Sequence, residues 1–222
     1  MDTHLEKALA GGMDYKTYRT EIQRLFPAKG IFISKIIVTR GESQTGYDFN
    51  EGIKPTRILL KIDFNINKSE IFKKGVRLTA SNIRASKSSN SGIKDLNRLE
   101  NVLARKSISR NFFDAIMLDS NGNICDCARS SLFIRYGSKL NTASNRSFGI
   151  HGVTKKIICE NVKKLNLTID YSPLTLNQLE KADEVIVSNS IFGALQVVRF
   201  KNTKWEKGNL ANSITNLLNE SN

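Results

Sequence analysis

The chain has 222 residues, of which 40% are hydrophobic, and it carries a formal net charge of +13. This composition excludes a disordered chain, and no apolar run approaches the roughly 18 residues that a membrane span needs. The polar residues 1–7 lack the apolar core of a signal peptide, which predicts a soluble, cytoplasmic protein.

The high positive charge raises the question of an anionic partner. Lysines and arginines are spread along the whole chain, with no block of five or six and no interleaved aromatics, which argues against nucleic acid. Pairs such as Lys155–Lys156 and Lys163–Lys164 fit the exposed face of one amphipathic helix. The charge therefore favours a basic cleft that binds a small anionic molecule.

Cysteine and histidine are rare in this chain. The three cysteines, Cys125, Cys127 and Cys159, are too few and odd in number for a disulfide framework. With only His4 and His151 beside them, a zinc site is not expected. We interpret the cysteines as small buried apolar residues.

The first half of the chain predicts two helices and three strands. The helices cover residues 3–10, which Gly11–Gly12 ends, and a segment from Asp14 to the residue before Pro27. Apolar runs that are β-branched or alternate with polar residues predict strands at 31–39, 56–64 and 76–81. The following stretch, 82–92, is rich in Ser and Asn and has no periodicity, which is typical of a linker.

The second half mixes helices and strands without a regular βαβ alternation. Asp95 is a candidate cap for a helix that reaches about residue 107, with Leu96, Leu99 and Leu103 on its buried face. Residues 119–122 predict a hairpin turn. Further strands are expected at 113–118, 124, 132–136, 169–171, 185–190 and 195–200, and further helices at 153–165, 175–181 and 210–218.

This order of elements favours an α+β fold in two domains. We place the smaller domain at residues 1–83, an interdomain linker at 84–92 and the larger domain at 93–222. A cleft between the two domains is the expected place for a site.

Lys94 lies in the string Gly-Ile-Lys-Asp-Leu-Asn-Arg-Leu-Glu, residues 92–100, where a loop meets a predicted helix. A lysine held at such a junction can reach into a cleft and form a Schiff base with a carbonyl. Taken alone the pattern is weak, because most lysines at helix starts are solvated surface residues. The motifs that follow Lys94 along the chain favour the Schiff-base hypothesis.

Three further features occur in an informative order. An acid, Asp126, follows the predicted hairpin, the segment 152–154 (Gly-Val-Thr) opens a helix, and a strand ends in 188–190 (Ser-Asn-Ser). Pyridoxal phosphate catalysis needs such parts: a lysine for the aldehyde, a carboxylate for the pyridine nitrogen, and helix amides with a hydroxyl for the phosphate. Each feature also has a purely structural interpretation. Asp126 would then be a solvated carboxylate at the end of a strand, and Thr154 would satisfy the backbone at the start of its own helix. The serines would be ordinary polar residues at a strand end.

Together these motifs resemble the fold-type IV pyridoxal phosphate enzymes, which include branched-chain and D-amino-acid transaminases. Within that family the string 92–100 is most similar to the aminodeoxychorismate lyases, as is the segment 113–122. The segments 37–41 and 55–59 also resemble the small domain of the family. The resemblance extends from about residue 30 to residue 200.

The resemblance implies a role for each of these residues. Lys94 would be the Schiff-base lysine and general base, and Asp126 the partner of the pyridine nitrogen. The amides of Val153 and Thr154, with the Thr154 hydroxyl, would cradle the phosphate, and Ser190 would add a second hydroxyl. Pyridoxal 5′-phosphate is the implied cofactor, and a homodimer is the implied assembly.

Several positions depart from the pattern of the family. Asp126 stands where the family has Glu, and its side chain is shorter by one methylene. The chain is expected to begin inside the His-x-x-Arg helix of the family, with His4 as the His and Lys7 in place of the Arg, and to lack roughly the first two strands. A start codon placed too late, a degraded gene or a partner that completes the site would each explain this.

Three functions follow as hypotheses. The first is an aminodeoxychorismate lyase that forms 4-aminobenzoate and pyruvate from 4-amino-4-deoxychorismate. The second is a branched-chain or D-amino-acid transaminase of the same family. The third is a truncated relative without catalytic activity.

Overall fold

A computed structural model describes residues 15–26, 29–42, 46, 52–64, 68–144 and 148–220. The helix expected at 3–10, its Gly11–Gly12 stop, the Asp14 cap, His4 and Lys7 lie outside these residues. Residue contacts divide the chain into two compact units, Met1–Ile66 and Asn67–Asn222.

The first unit contains a helix and a two-stranded sheet. Helix α1 spans Tyr15–Leu25, and strands β1 and β2 span Phe32–Thr39 and Thr56–Asp63. The strands pair antiparallel in unbroken register from Phe32 opposite Asp63 to Thr39 opposite Thr56. An ion pair of 2.8 Å between Arg57 and Glu21 ties β2 to α1. All three elements were predicted within one residue of their bounds.

The second unit is built on one mixed sheet of nine strands. The strands are β3 Val76–Arg84, β4 Asp114–Leu118, β5 Ile124–Cys127, β6 Ser131–Tyr136, β7 Lys139–Thr142, β8 Thr168–Asp170, β9 Glu184–Asn189, β10 Gly193–Phe200 and β11 Thr203–Lys204. Their order in the sheet is β5-β4-β3-β10-β9-β6-β7-β8, with β11 paired to β10. The helices are α2 Lys68–Lys74, α3 Leu99–Lys106, α4 Val153–Asn161, α5 Leu176–Leu179 and α6 Leu210–Glu220, with a 3-10 turn at Val162–Leu165. Parallel and antiparallel pairs coexist in the sheet, which confirms the α+β prediction.

Alternating side chains of the central strands fill two cores, one on each face of the sheet. On β9, Val185 and Val187 enter the first core, whereas Ile186 enters the second. This alternation follows from the two-residue period of a strand. Helices α4 and α6 contribute Ile158 and Ile214 to the second core, where both are fully buried.

Residues 76–83, which the sequence analysis assigned to the smaller domain, lie in the sheet of the second unit. Strand β3 runs between β10 and β4 and pairs in parallel with both. Because a central strand of a sheet cannot be separated from its neighbours, these residues fold with the second unit. The segment expected to link two domains, 84–92, is likewise internal to it.

The local predictions for helix ends and turns have mixed outcomes. The hairpin at 119–122 is present, with Gly122 at φ +83° and the amide of Asp119 donating to the carbonyl of Asn123. Thr175 caps α5 as expected, in a capping box with Gln178. Helix α2 and strand β7 were not predicted.

Candidate active site

The loop that carries Lys94 is fixed against the loop that leads into α4. The amide of Gly92 donates to the carbonyl of Gly149 over 3.0 Å, and the amide of His151 donates to the carbonyl of Gly92, also over 3.0 Å. These bonds form a short parallel bridge. Lys94 follows Gly92 by two residues and its side chain is exposed, so the bridge brings the backbone of its loop close to the loop that leads into α4.

Arg98 closes the other side of this loop. Its guanidinium donates to the carbonyl of Ile93 and lies 3.3 Å from the carboxylate of Asp95. The residues on either side of Lys94 are therefore both held by one arginine. A rigid loop of this kind limits the positions that the Lys94 amine can sample.

The predicted role of Asp95 as a helix cap was wrong. Helix α3 begins at Leu99, its N-cap residue is Arg98, and no side chain caps it. The carboxylate of Asp95 pairs with Arg98 instead, because the chain stays irregular through residue 98.

The leucines of this segment are also not on the buried face. Leu96 and Leu99 are 67% and 65% exposed, whereas Ala104 is fully buried and Asn101 donates to the carbonyl of Ala128 over 2.8 Å. The face of α3 that meets the sheet thus follows the spacing of residues 101 and 104.

Asp126 lies on the edge strand β5 and is buried, with 8% of its surface exposed. One carboxylate oxygen accepts the amide of Leu132 over 2.6 Å. The other lies 3.7 Å from the Lys155 ammonium. The carboxylate is therefore held through both oxygens, which contradicts the alternative of a solvated strand-end acid.

Lys155 is the main residue of this region that sequence reasoning misplaced. It was assigned to the exposed face of the helix, yet it is 6% exposed, and its ammonium donates to the carbonyl of Ala143 over 2.6 Å. A signal was present in the sequence. A lysine in the first turn of a helix opposes the helix dipole, so its presence there indicates a nearby negative group.

The N-terminus of α4 is a candidate anion site. Gly152 is the N-cap residue in an extended conformation, and no side chain caps the helix. The first amides of a helix lack partners within the helix and attract anions. The amides of Val153 and Thr154 are in this position, with Val153 exposed at the surface and Thr154 buried.

The two serines at the end of β9, Ser188 and Ser190, have different surroundings. Ser190 is the first residue of the turn between β9 and β10 and is exposed. Ser188 lies opposite Ser131 in the sheet, and its buried hydroxyl has no hydrogen-bond partner among the described residues. A Cβ atom on Gly152 would lie 3.4 Å from the Ser131 hydroxyl, so the start of α4 lies close to this pair of serines.

A cavity of about 320 Å³ lies beside Asp126. Its lining includes Arg98, Asn101, Met117 and Gly149, and its volume is at the lower end of the range for small-molecule sites. Of the predicted site residues only Asp126 lines this cavity; Lys94, Val153, Thr154 and Ser190 are not in its lining. A second cavity of about 170 Å³ lies near Asp119 and is lined by none of them.

The cysteines are not candidates for nucleophiles. Burial raises the pKa of the Cys125 thiol to about 12, with smaller contributions from Asp119 and Asp126. Burial also raises the pKa of Cys127 and of Cys159. All three are free thiols, and among the described residues no group of three His, Cys, Asp or Glu side chains could hold a metal.

We therefore expect the folded protein to react slowly with iodoacetamide at pH 8. The thiolate is the reacting form, and a raised pKa keeps it rare. Labelling of the denatured chain at the same pH is the control and should be complete within minutes. Rapid labelling of Cys125 or Cys127 in the folded protein would contradict this account.

The described groups fit pyridoxal phosphate by their chemistry. Helix α4 offers uncapped amides for a phosphate, and the unpartnered hydroxyl of Ser188 lies on the adjacent strand. Asp126 offers a buried carboxylate, and Lys94 an amine on a fixed loop. The fold and this set of groups are those expected of a pyridoxal phosphate-binding protein of the α+β class.

Comparison with known proteins agrees with this definition. The model of the amino-transferase class IV family matches residues 5–200, and the chain belongs to this family. The enzymes of the family use pyridoxal 5′-phosphate, which confirms the predicted cofactor. Among the described residues, no helix has the length and apolar character that crossing a membrane requires.

Two curated relatives represent different activities in the family. The chain is 27% identical to aminodeoxychorismate lyase of Vibrio harveyi over 165 residues, which cover 73% of this chain and 61% of that protein. It is 27% identical to a putative branched-chain-amino-acid aminotransferase of Methanocaldococcus jannaschii over 161 residues, which cover 70% and 54%. The matches thus span little more than half of these relatives.

Solved structures confirm the fold-type IV prediction. The 4-amino-4-deoxychorismate lyase from Pseudomonas aeruginosa superposes with a TM-score of 0.86 at 29% identity, covering 96% of this chain and 80% of that chain. A branched-chain aminotransferase from Thermoproteus uzoniensis has a TM-score of 0.81 at 18% identity, covering 97% and 75%.

Proposed function

We propose that this chain is a pyridoxal phosphate-dependent lyase that converts 4-amino-4-deoxychorismate to 4-aminobenzoate and pyruvate. The observation that carries the proposal is the bridge between Gly92 and residues 149–151. It fixes the loop of Lys94 beside the uncapped helix start at Val153 and Thr154. The proposal includes a homodimer as the working assembly.

Three observations favour a lyase over a transaminase. The string 92–100 is similar to that of the aminodeoxychorismate lyases, and the loop it forms is held in place by Arg98. The 4-amino-4-deoxychorismate lyase from Pseudomonas aeruginosa is 29% identical over nearly the whole chain. A substrate with two carboxylates also suits a chain with a net charge of +13.

Each residue has a specific task in this proposal. The amides of Val153 and Thr154 bind the cofactor phosphate at the start of α4. The carboxylate of Asp126 pairs with the pyridine nitrogen and keeps it protonated. The Lys94 amine would hold the cofactor through its aldehyde and, once free, would be the general base that takes the proton from the substrate ring. When bound, the cofactor ring supplies an electron sink.

The reaction is tested by the release of pyruvate from 4-amino-4-deoxychorismate. We expect pyruvate and 4-aminobenzoate in equal amounts, with no keto acid added, because a lyase needs no amino-group acceptor. Lys94→Ala protein is the control and should release neither product. Equal product release by the wild type and this variant, or none by either, would overturn the lyase proposal.

A transaminase is the second candidate, since relatives named as branched-chain and D-alanine aminotransferases match this chain. Amino-group transfer from branched-chain or D-amino acids to 2-oxoglutarate, without pyruvate release, would favour it. A protein that performs neither reaction would be a relative without catalytic activity.

A further inference from the structure

We propose that Lys155 is a positioning residue that fixes Asp126 for the ring nitrogen of the cofactor. This inference rests on the proposed function only as far as the cofactor site. The ammonium of Lys155 lies 3.7 Å from one carboxylate oxygen of Asp126, while the amide of Leu132 holds the other over 2.6 Å. The orientation of the carboxylate is therefore set by one hydrogen bond and one ion pair.

Burial makes this ion pair consequential. The side chains of Lys155 and Asp126 are 7% and 11% exposed, so water screens their attraction poorly. A buried charge that loses its partner is strongly unfavourable. The carboxylate consequently has little freedom to turn away from the position that the pair defines.

The position of Lys155 in the chain links both ends of the cofactor site. It immediately follows Thr154 in the first turn of α4, so the turn that offers amides to a phosphate also carries the ammonium that holds Asp126. The bond from Lys155 to the carbonyl of Ala143 fixes the ammonium in turn. Lys155 thereby connects the first turn of α4 to the carboxylate of Asp126.

The test compares the binding of pyridoxal phosphate with that of its 1-deaza analogue, in which carbon replaces the ring nitrogen. Both ligands carry the same phosphate and aldehyde, so the ratio of their dissociation constants isolates the contact at the ring nitrogen. A charge-assisted hydrogen bond makes this ratio about 10 or more in the wild type. Tryptophan fluorescence quenching measures both constants without turnover.

Lys155→Met should bring the ratio close to 1, because the ammonium that orients Asp126 is gone. Lys155→Gln keeps a donor for Ala143 and serves if the methionine variant does not fold; it should lower the ratio as well. Lys155→Arg, which keeps the charge, should retain most of the wild-type ratio. Asp126→Asn sets the value for a site without a carboxylate.

A wild-type ratio in a folded Lys155→Gln protein would overturn the positioning role and leave the cofactor site intact. A ratio near 1 in the wild type would overturn it as well. A ratio near 1 in Lys155→Gln, combined with a wild-type protein that releases no pyruvate, would support the positioning role and contradict only the lyase reaction. Absence of any cofactor binding by the wild type would overturn both proposals.

Discussion

Gly92→Ala is expected to destabilise the second unit by about 2–5 kcal/mol and to abolish binding of pyridoxal phosphate. Gly92 has φ +87°, and a Cβ atom there would lie 2.1 Å from the imidazole ring of His151. The backbone conformation accounts for about 1–2 kcal/mol and the steric clash for about 1–3 kcal/mol more. Urea denaturation and cofactor titration measure the two effects.

Gly122→Ala is the matched control for this variant. Gly122 has a similar φ of +83°, but nothing lies within 4 Å of the position of its Cβ atom. The free energy of unfolding of this variant should fall only by the backbone contribution, and the variant should still bind the cofactor. If both variants bind the cofactor equally well, the bridge between Gly92 and residues 149–151 does not position the site.

A second variant separates the clash from the backbone strain. Replacing His151 with Gly in the Gly92→Ala background removes the ring that the new methyl group would meet. The double variant should recover about 1–3 kcal/mol and part of the cofactor affinity. No recovery would mean that the strain at residue 92 alone explains the loss.

Lys94→Ala should lower the rate of pyruvate release by roughly 1000-fold or more, since it removes the general base and the amine that holds the cofactor. The side chain is exposed, so the free energy of unfolding should change by no more than about 0.5 kcal/mol. A coupled assay for pyruvate and a urea titration measure these two quantities.

Lys106→Ala is a suitable control, because Lys106 is an exposed lysine at the end of α3. It removes the same charge without touching the loop of Lys94. Its activity should match that of the wild type. A loss of activity in both variants would point to the net charge of the protein and not to the chemistry of Lys94.

The sequence predicted the elements whose signals are local. Strand β1 is a β-branched run, β2 mixes apolar with polar residues, the turn at 119–122 has its glycine, and Thr175 with Gln178 forms the capping box. In each case neighbouring residues decide the structure. The motif order also predicted the family and its cofactor, because the lysine, the acid and the helix start recur at recognisable spacing.

The errors arose where distant contacts decide the structure. Asp95 looked like a helix cap, but the helix starts at Leu99 and Arg98 takes the carboxylate. Residues 76–83 belong to a strand between β10 and β4, and no local signal places a strand in a particular sheet. Lys155 looked exposed because its partner, Asp126, lies 29 residues earlier in the chain.

Lys94 is expected to hold the aldehyde of pyridoxal phosphate. Purified protein is mixed with the cofactor, reduced with borohydride and digested, and the labelled peptide is identified by mass spectrometry. The account predicts a visible absorption band before reduction and a single phosphopyridoxyl adduct on Lys94. A folded protein with no band and no adduct, or with the adduct on another lysine, would contradict it.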